Sequence, residues 1–190
     1  MIKIFFIVIL VLSQNLFAQD NLLVPVYNES NQIGVDKFWA EIYSNHLISF
    51  KENNLQDYKC NCEVYRFLWL RSFHNPVAIT ITKNNKKISL NWKRTDVDGD
   101  YETGRLVEDK TISLSSENWD KFKELLKASN YWETPSILIE DNKIEVLDGA
   151  SWVIEGLSKN KYHISEVNVE NIGRFLIKNT EMNIPENEIY

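Results

Sequence analysis

The chain has 190 residues, a formal net charge of −6 and two cysteines. Its acidic balance argues against nucleic acid and against anionic membrane surfaces, because both are bound through basic footprints. The length suits one domain with a hydrophobic core of its own.

Residues 1–19 read as a secretory signal peptide. Lys3 supplies the positive end, Ile4 to Leu12 is an unbroken apolar run, and Phe17-Ala18-Gln19 offers a cut after Ala18 or after Gln19. The run is too short for a permanent anchor, and no cysteine follows it to carry a lipid. The competing readings are an uncleaved anchor and a buried strand. Cleavage leaves a mature chain of roughly 170 residues, exported to the periplasm or the exterior, with no stable membrane insertion.

Residues 20–34 form a polar lead-in without periodicity. From Asp36, the spacing of Phe38, Trp39, Ile42, Tyr43 and His46 predicts a helix over 36–50, capped by Asp36. Cys60 and Cys62 are two residues apart. An exported compartment favours a local disulfide, ahead of two reduced thiols or a redox pair. Glu63 to Phe73 reads as a strand covered on both faces, since Phe67 to Leu70 is continuously apolar. Tyr65, Phe67, Trp69 and Arg71 share one side, and Arg66, Leu68 and Leu70 the other.

Val77 to Lys93 reads as a hairpin turning at Asn84-Asn85, because Asn tolerates positive φ. That turn pairs Ile81 with Ile88, Ile79 with Leu90 and Val77 with Trp92. Residues 105–114 read as a further strand, with Leu106, Ile112 and Leu114 on one face. Ser115 or Ser116 caps a helix that carries Trp119, Phe122, Leu125 and Leu126. Ser151 to Leu157 and Lys161 to Val167 form a second hairpin across Lys159-Asn160. A last helix carries Val169, Ile172, Phe175 and Leu176, and residues 180–190 read as a flexible polar tail. The expected class is α+β: an antiparallel sheet of about six strands built from hairpins, with three helices packed on it. Residues 35–179 make its single domain.

Tyr65-Arg66-Phe67-Leu68-Trp69-Leu70-Arg71, with His74 and Pro76-Val77-Ala78, resembles the signature of an uncharacterised family of bacterial proteins. The resemblance continues through Tyr101-Glu102-Thr103-Gly104-Arg105-Leu106, Tyr131-Trp132-Glu133-Thr134-Pro135, Asp148-Gly149-Ala150-Ser151-Trp152, Glu155-Gly156 and Tyr162-His163. It covers about residues 64–164 and departs after His163. That family has no established activity, so the resemblance implies one compact domain and no catalytic residues.

Two constellations bear on chemistry. Asp96, Asp98 and Asp100 open like a calcium loop, but Tyr101 and Val107 stand where such a loop needs Gly and Glu. An acidic turn is preferred, with no metal and no cofactor. Arg71, His74, Trp152, Glu155 and His163 are the candidate binding residues. Glu155 and Arg71 both sit on faces that otherwise read as apolar, where a charge needs a partner. The preferred reading is an ion pair between them; the sharper one is a site in which Glu155 acts as base or anchor and Arg71 orients an anion. Taken together, these features suggest a non-catalytic module that binds a protein or a small-molecule ligand. The alternative is a small hydrolase-like enzyme using Glu155 with His163 or Arg71.

Overall fold

The computed structural model describes residues 22–99, 101–136 and 149–190. The expected signal peptide and Asp100 of the acidic turn lie outside the described residues. In chain order the elements are α1 (Lys37–Ser49), β1 (Cys62–Arg71), β2 (His74–Asn84), β3 (Lys87–Thr95), β4 (Leu106–Ser113), α2 (Ser116–Ala128), β5 (Ala150–Ser158), β6 (Lys161–Ser165) and α3 (Glu170–Lys178). The six strands form one antiparallel sheet in the order β4-β3-β2-β1-β5-β6. The α+β expectation is met. Among the described residues no helix is long and apolar enough to cross a membrane.

Strand β1 lies between β2 and β5, and Val64 to Arg71 are all buried. One sheet face gathers Tyr65, Phe67, Trp69, Ile79, Ile81, Leu90 and Trp92 beneath α2 and α3. The other gathers Leu68, Leu70, Ala78, Val153 and Ile164 beneath α1 and the lead-in. Val24 and Val35 of the lead-in are buried there. The starts of the first two helices follow from capping. Asp36 accepts from the Phe38 amide at 2.8 Å, and the Ser115 hydroxyl from the Asn118 amide at 3.2 Å. At Gly173 a Cβ would come within 2.6 Å of Phe67 and 2.5 Å of Trp152, so this glycine lets α3 close onto the sheet. Cys60 and Cys62 are joined as a disulfide just before β1 enters the sheet.

Two expected details change. In the first hairpin Asn85-Lys86 forms the loop, with Asn85 at φ 54°, and Asn84 faces Lys87. Ile81 therefore faces Leu90 and Ile79 faces Trp92. The pairing moves by two residues, the period of a strand, so every side chain keeps its face. In β4, Arg94 pairs with Glu108 but Thr95 pairs with Leu106, leaving Val107 as a bulge. Leu106 thus packs with the α1 side, whereas Ile112 and Leu114 pack with the α2–α3 side. The second hairpin forms as expected, with Lys159 and Asn160 at φ 51° and 63°.

Residues 180–190, expected as a flexible tail, fold back over the α2–α3 face. Met182, Ile184 and Ile189 join its core, and Ile189 is buried. Sparse apolar residues without periodicity do not announce such packing, yet they cover the end of the sheet that α2 and α3 leave open.

Candidate functional site

Alternation along β1 sends Arg66 and Arg71 to opposite faces. On the α1 face, the β1–β5 register sets Arg66 beside Glu155. The Arg66 Nε donates to Glu155 Oε1 at 2.7 Å, and its Nη1 donates to Glu52 Oε2 at 2.9 Å. Lys93 Nζ lies 2.7 Å from the other Glu52 oxygen, and the Tyr162 hydroxyl donates to Glu155 Oε2 at 3.0 Å. Every carboxylate oxygen is engaged, and two cations balance two anions. The Arg71–Glu155 pair expected from sequence is therefore replaced by Arg66–Glu155, because Arg71 points through the opposite face. Burial pushes the Glu155 carboxyl up, and the Arg66 charge with its hydrogen bond pulls it only part of the way back. Burial would lower Arg66, but Glu155 and Glu52 outweigh it and hold the guanidinium firmly charged.

His163 pairs with Gly156 in the sheet and faces the α2–α3 side. Its ring packs edge-on against Tyr131 with centroids 5.0 Å apart. Burial, followed by the Lys161 charge, pushes its imidazole below the ordinary value. Glu155 thus meets neither His163 nor Arg71, and the hydrolase-like grouping is not assembled.

The remaining candidates do converge. Trp152 lies beside Trp69, and both indole N–H groups donate to the Tyr190 carbonyl oxygen at 3.0 Å. His74 Nδ1 is 2.8 Å from the Tyr190 hydroxyl, and its Nε2 is 3.5 Å from Glu188 Oε2. Arg71 stacks on the Trp69 ring at 3.9 Å and donates to the backbone oxygens of Asn75 at 3.0 Å and Glu188 at 3.5 Å. Arg71, His74 and Trp152 thus hold the tail in place.

Beyond this clasp lies a cavity of about 270 Å³ between the sheet and the tail. Arg71, Trp92, Arg94 and Lys110 form its sheet wall. Residues 181–184 and Glu188 form the tail wall, and Asp98 also lines it. Arg71 is 4% exposed and Trp92 is 1% exposed. The Nε of Arg71 and the Nε1 of Trp92 are buried without hydrogen-bond partners. Among the described residues no carboxylate oxygen comes within 4 Å of the Arg71 guanidinium, although Arg94 is paired to Glu108 at 3.0 Å. Burial brings Arg71 down to about 10, with Glu188 and Tyr190 offsetting little of it.

Trp92, Arg94 and Lys110 are functional candidates that the sequence reading passed over. Strand alternation puts Trp92 and Arg94 on one face, but the tail that turns this face into a cavity left no pattern to read. The acidic turn is closed by protein groups. Asp96 accepts from the Arg105 amide at 2.7 Å and from its guanidinium at 2.8 and 3.1 Å. Those backbone and side-chain bonds from Arg105 hold the Asp96 carboxyl below its ordinary value. Among the described residues no group of three or more His, Cys, Asp or Glu is arranged to hold a metal ion. No protein-family model matches the chain, and no curated protein is significantly similar to it.

Proposed function

We propose that this chain is an exported, non-catalytic binding module, and that its site is the cavity between the sheet and the tail. The ligand is a small molecule presenting a carboxylate or similar oxyanion. The observation that carries this reading is Arg71, a buried guanidinium on the cavity wall with no carboxylate oxygen within 4 Å among the described residues. Glu188 and Asp98 act on this charge only from beyond contact distance, and a bound oxyanion would supply the direct charge-assisted contact that they do not. Support for export comes from Lys3, the apolar run and the Phe17-Ala18-Gln19 region.

Titration of the mature protein with acetate, 3-methylbutanoate and phosphate at constant ionic strength tests the site. At least one should raise the melting temperature, and a ligand at a hundredfold its Kd adds about 2.7 kcal/mol. Arg71→Met should remove the response. If no ligand bearing a carboxylate or phosphate binds in calorimetry, the anion reading fails. Export is tested by intact mass after expression in a bacterial host with a secretory pathway. The secreted product should lack about nineteen residues, and a product still starting at Met1 would overturn export.

A further inference from the structure

We infer that the cavity is built for a zwitterion, a small aliphatic free amino acid whose carboxylate meets Arg71 and whose ammonium meets Asp98 and Glu181. This rests on the anion-binding reading and narrows it.

Charge is the first argument. The lining holds three permanent cations, Arg71, Arg94 and Lys110, against four carboxylates, Asp98, Glu108, Glu181 and Glu188. A bare anion drawn to Arg71 would also face those carboxylates, and like charges at close range oppose binding. A ligand bearing both signs meets complementary groups at each end. The partners already taken sharpen the assignment. Glu108 is bound to Arg94, and Glu188 lies against His74. Asp98 and Glu181 have no ion pair or hydrogen bond among the described residues. These two carboxylates are exposed, while Arg71 on the same lining is buried, and Asp98 is near enough for its charge to act on Arg71. The lining thus runs from a buried cation to exposed carboxylates, as an α-amino acid entering carboxylate-first requires.

Size and surface are the second argument. A volume of about 270 Å³ equals roughly nine water molecules at liquid density. That is below the range common for drug-sized ligands, which excludes a polymer or a large cofactor. Met182, Ile184 and the Trp92 ring supply the apolar part of the lining, which suits a short aliphatic side chain.

The test uses isothermal titration calorimetry on the mature protein with three probes: L-valine, 3-methylbutanoate, which lacks the amino group, and 2-methylpropylamine, which lacks the carboxylate. L-valine should bind at least about tenfold more tightly than 3-methylbutanoate, as one charge-assisted contact set gained implies, and the amine should not bind. The double variant Asp98→Asn, Glu181→Gln changes only exposed side chains. It should bring L-valine down to the affinity of 3-methylbutanoate without weakening the latter. Equal affinities for the two probes in the unaltered protein, or L-valine binding untouched by the double variant, would overturn the zwitterion and leave the anion site standing. No binding of L-valine, 3-methylbutanoate, acetate or phosphate would overturn both.

Discussion

Arg66 and Arg71 lie on the same strand, both are almost fully buried, and they face opposite sides of the sheet. Around Arg66 the fold supplies two carboxylates, a lysine to balance them and a tyrosine hydroxyl for the last free oxygen. Around Arg71 it supplies two backbone oxygens and an aromatic ring, and leaves one N–H facing no acceptor. Burial of a charge therefore says nothing about function by itself. A carboxylate in contact is what separates Arg66, whose Nη2 lies against Glu155, from Arg71, which has none within 4 Å among the described residues. Arg66 belongs to a neutral, closed group, whereas Arg71 belongs to a cavity wall.

The contrast can be broken most directly at Arg66. Arg66→Met strands Glu155 in the interior and leaves Glu52 to Lys93 alone, and should cost roughly 3–5 kcal/mol in urea unfolding. Adding Glu155→Leu to it should recover part of that loss, because fewer unpaired charges remain. Near-zero cost for the single variant would mean that the closed group contributes nothing to the fold.

The pH dependence of the same variant sharpens the picture. Burial already pushes the Glu155 carboxyl up, and Arg66 is the main opposing influence. Without Arg66 the folded state holds that proton to still higher pH than the unfolded chain does. An acid titrating higher in the folded state makes stability fall as pH rises through that range. Arg66→Met should therefore show a larger deficit near pH 8 than near pH 4.5, by about 1 kcal/mol or more. A deficit that does not change with pH would remove Glu155 as its cause.

Arg71→Met should behave differently. It strands no carboxylate, so the unfolding free energy should move by only about 1 kcal/mol in either direction, while oxyanion binding disappears. A stability loss as large as that of Arg66→Met would place Arg71 with the structural charges. The smallest effect belongs to the acidic turn. With Asp96 engaged by Arg105, added calcium should leave the melting temperature where it was. A clear calcium-dependent rise would show that the turn can trade its arginine for a cation.

How much of this was legible in the sequence depended on the range of the interaction. Asp36, Ser115 and the Lys159-Asn160 turn act on their immediate neighbours, and the elements they mark formed where expected. The faces of β1, β2 and β3 followed from alternation, even where the first hairpin turned one residue late. Arg66 was placed on the correct face but given no partner, because Glu155 is 89 residues away and only the β1–β5 register joins them. The same gap allowed Glu155 to be matched with Arg71 on the basis of charge alone. The cavity stayed hidden because one wall of it is made by residues 181–188, where Met182 and Ile184 are too few and too irregular to predict a packed segment.

Strand β4 has a second consequence beyond supplying Glu108 and Lys110 to the cavity. Among the described residues it is paired only to β3, so within them one row of its backbone groups lies at a sheet edge. An open edge is a template on which another chain can grow a strand, and crowded surroundings increase that hazard. Here the bulge at Val107 breaks the regular spacing, and Glu108-Asp109-Lys110 follows with charges of both signs. A neighbour attempting to add there would meet a kinked ladder and would have to bury those charges. The sheet side that lines the cavity is thereby made unattractive to a second polypeptide, so this edge does not invite fibre growth.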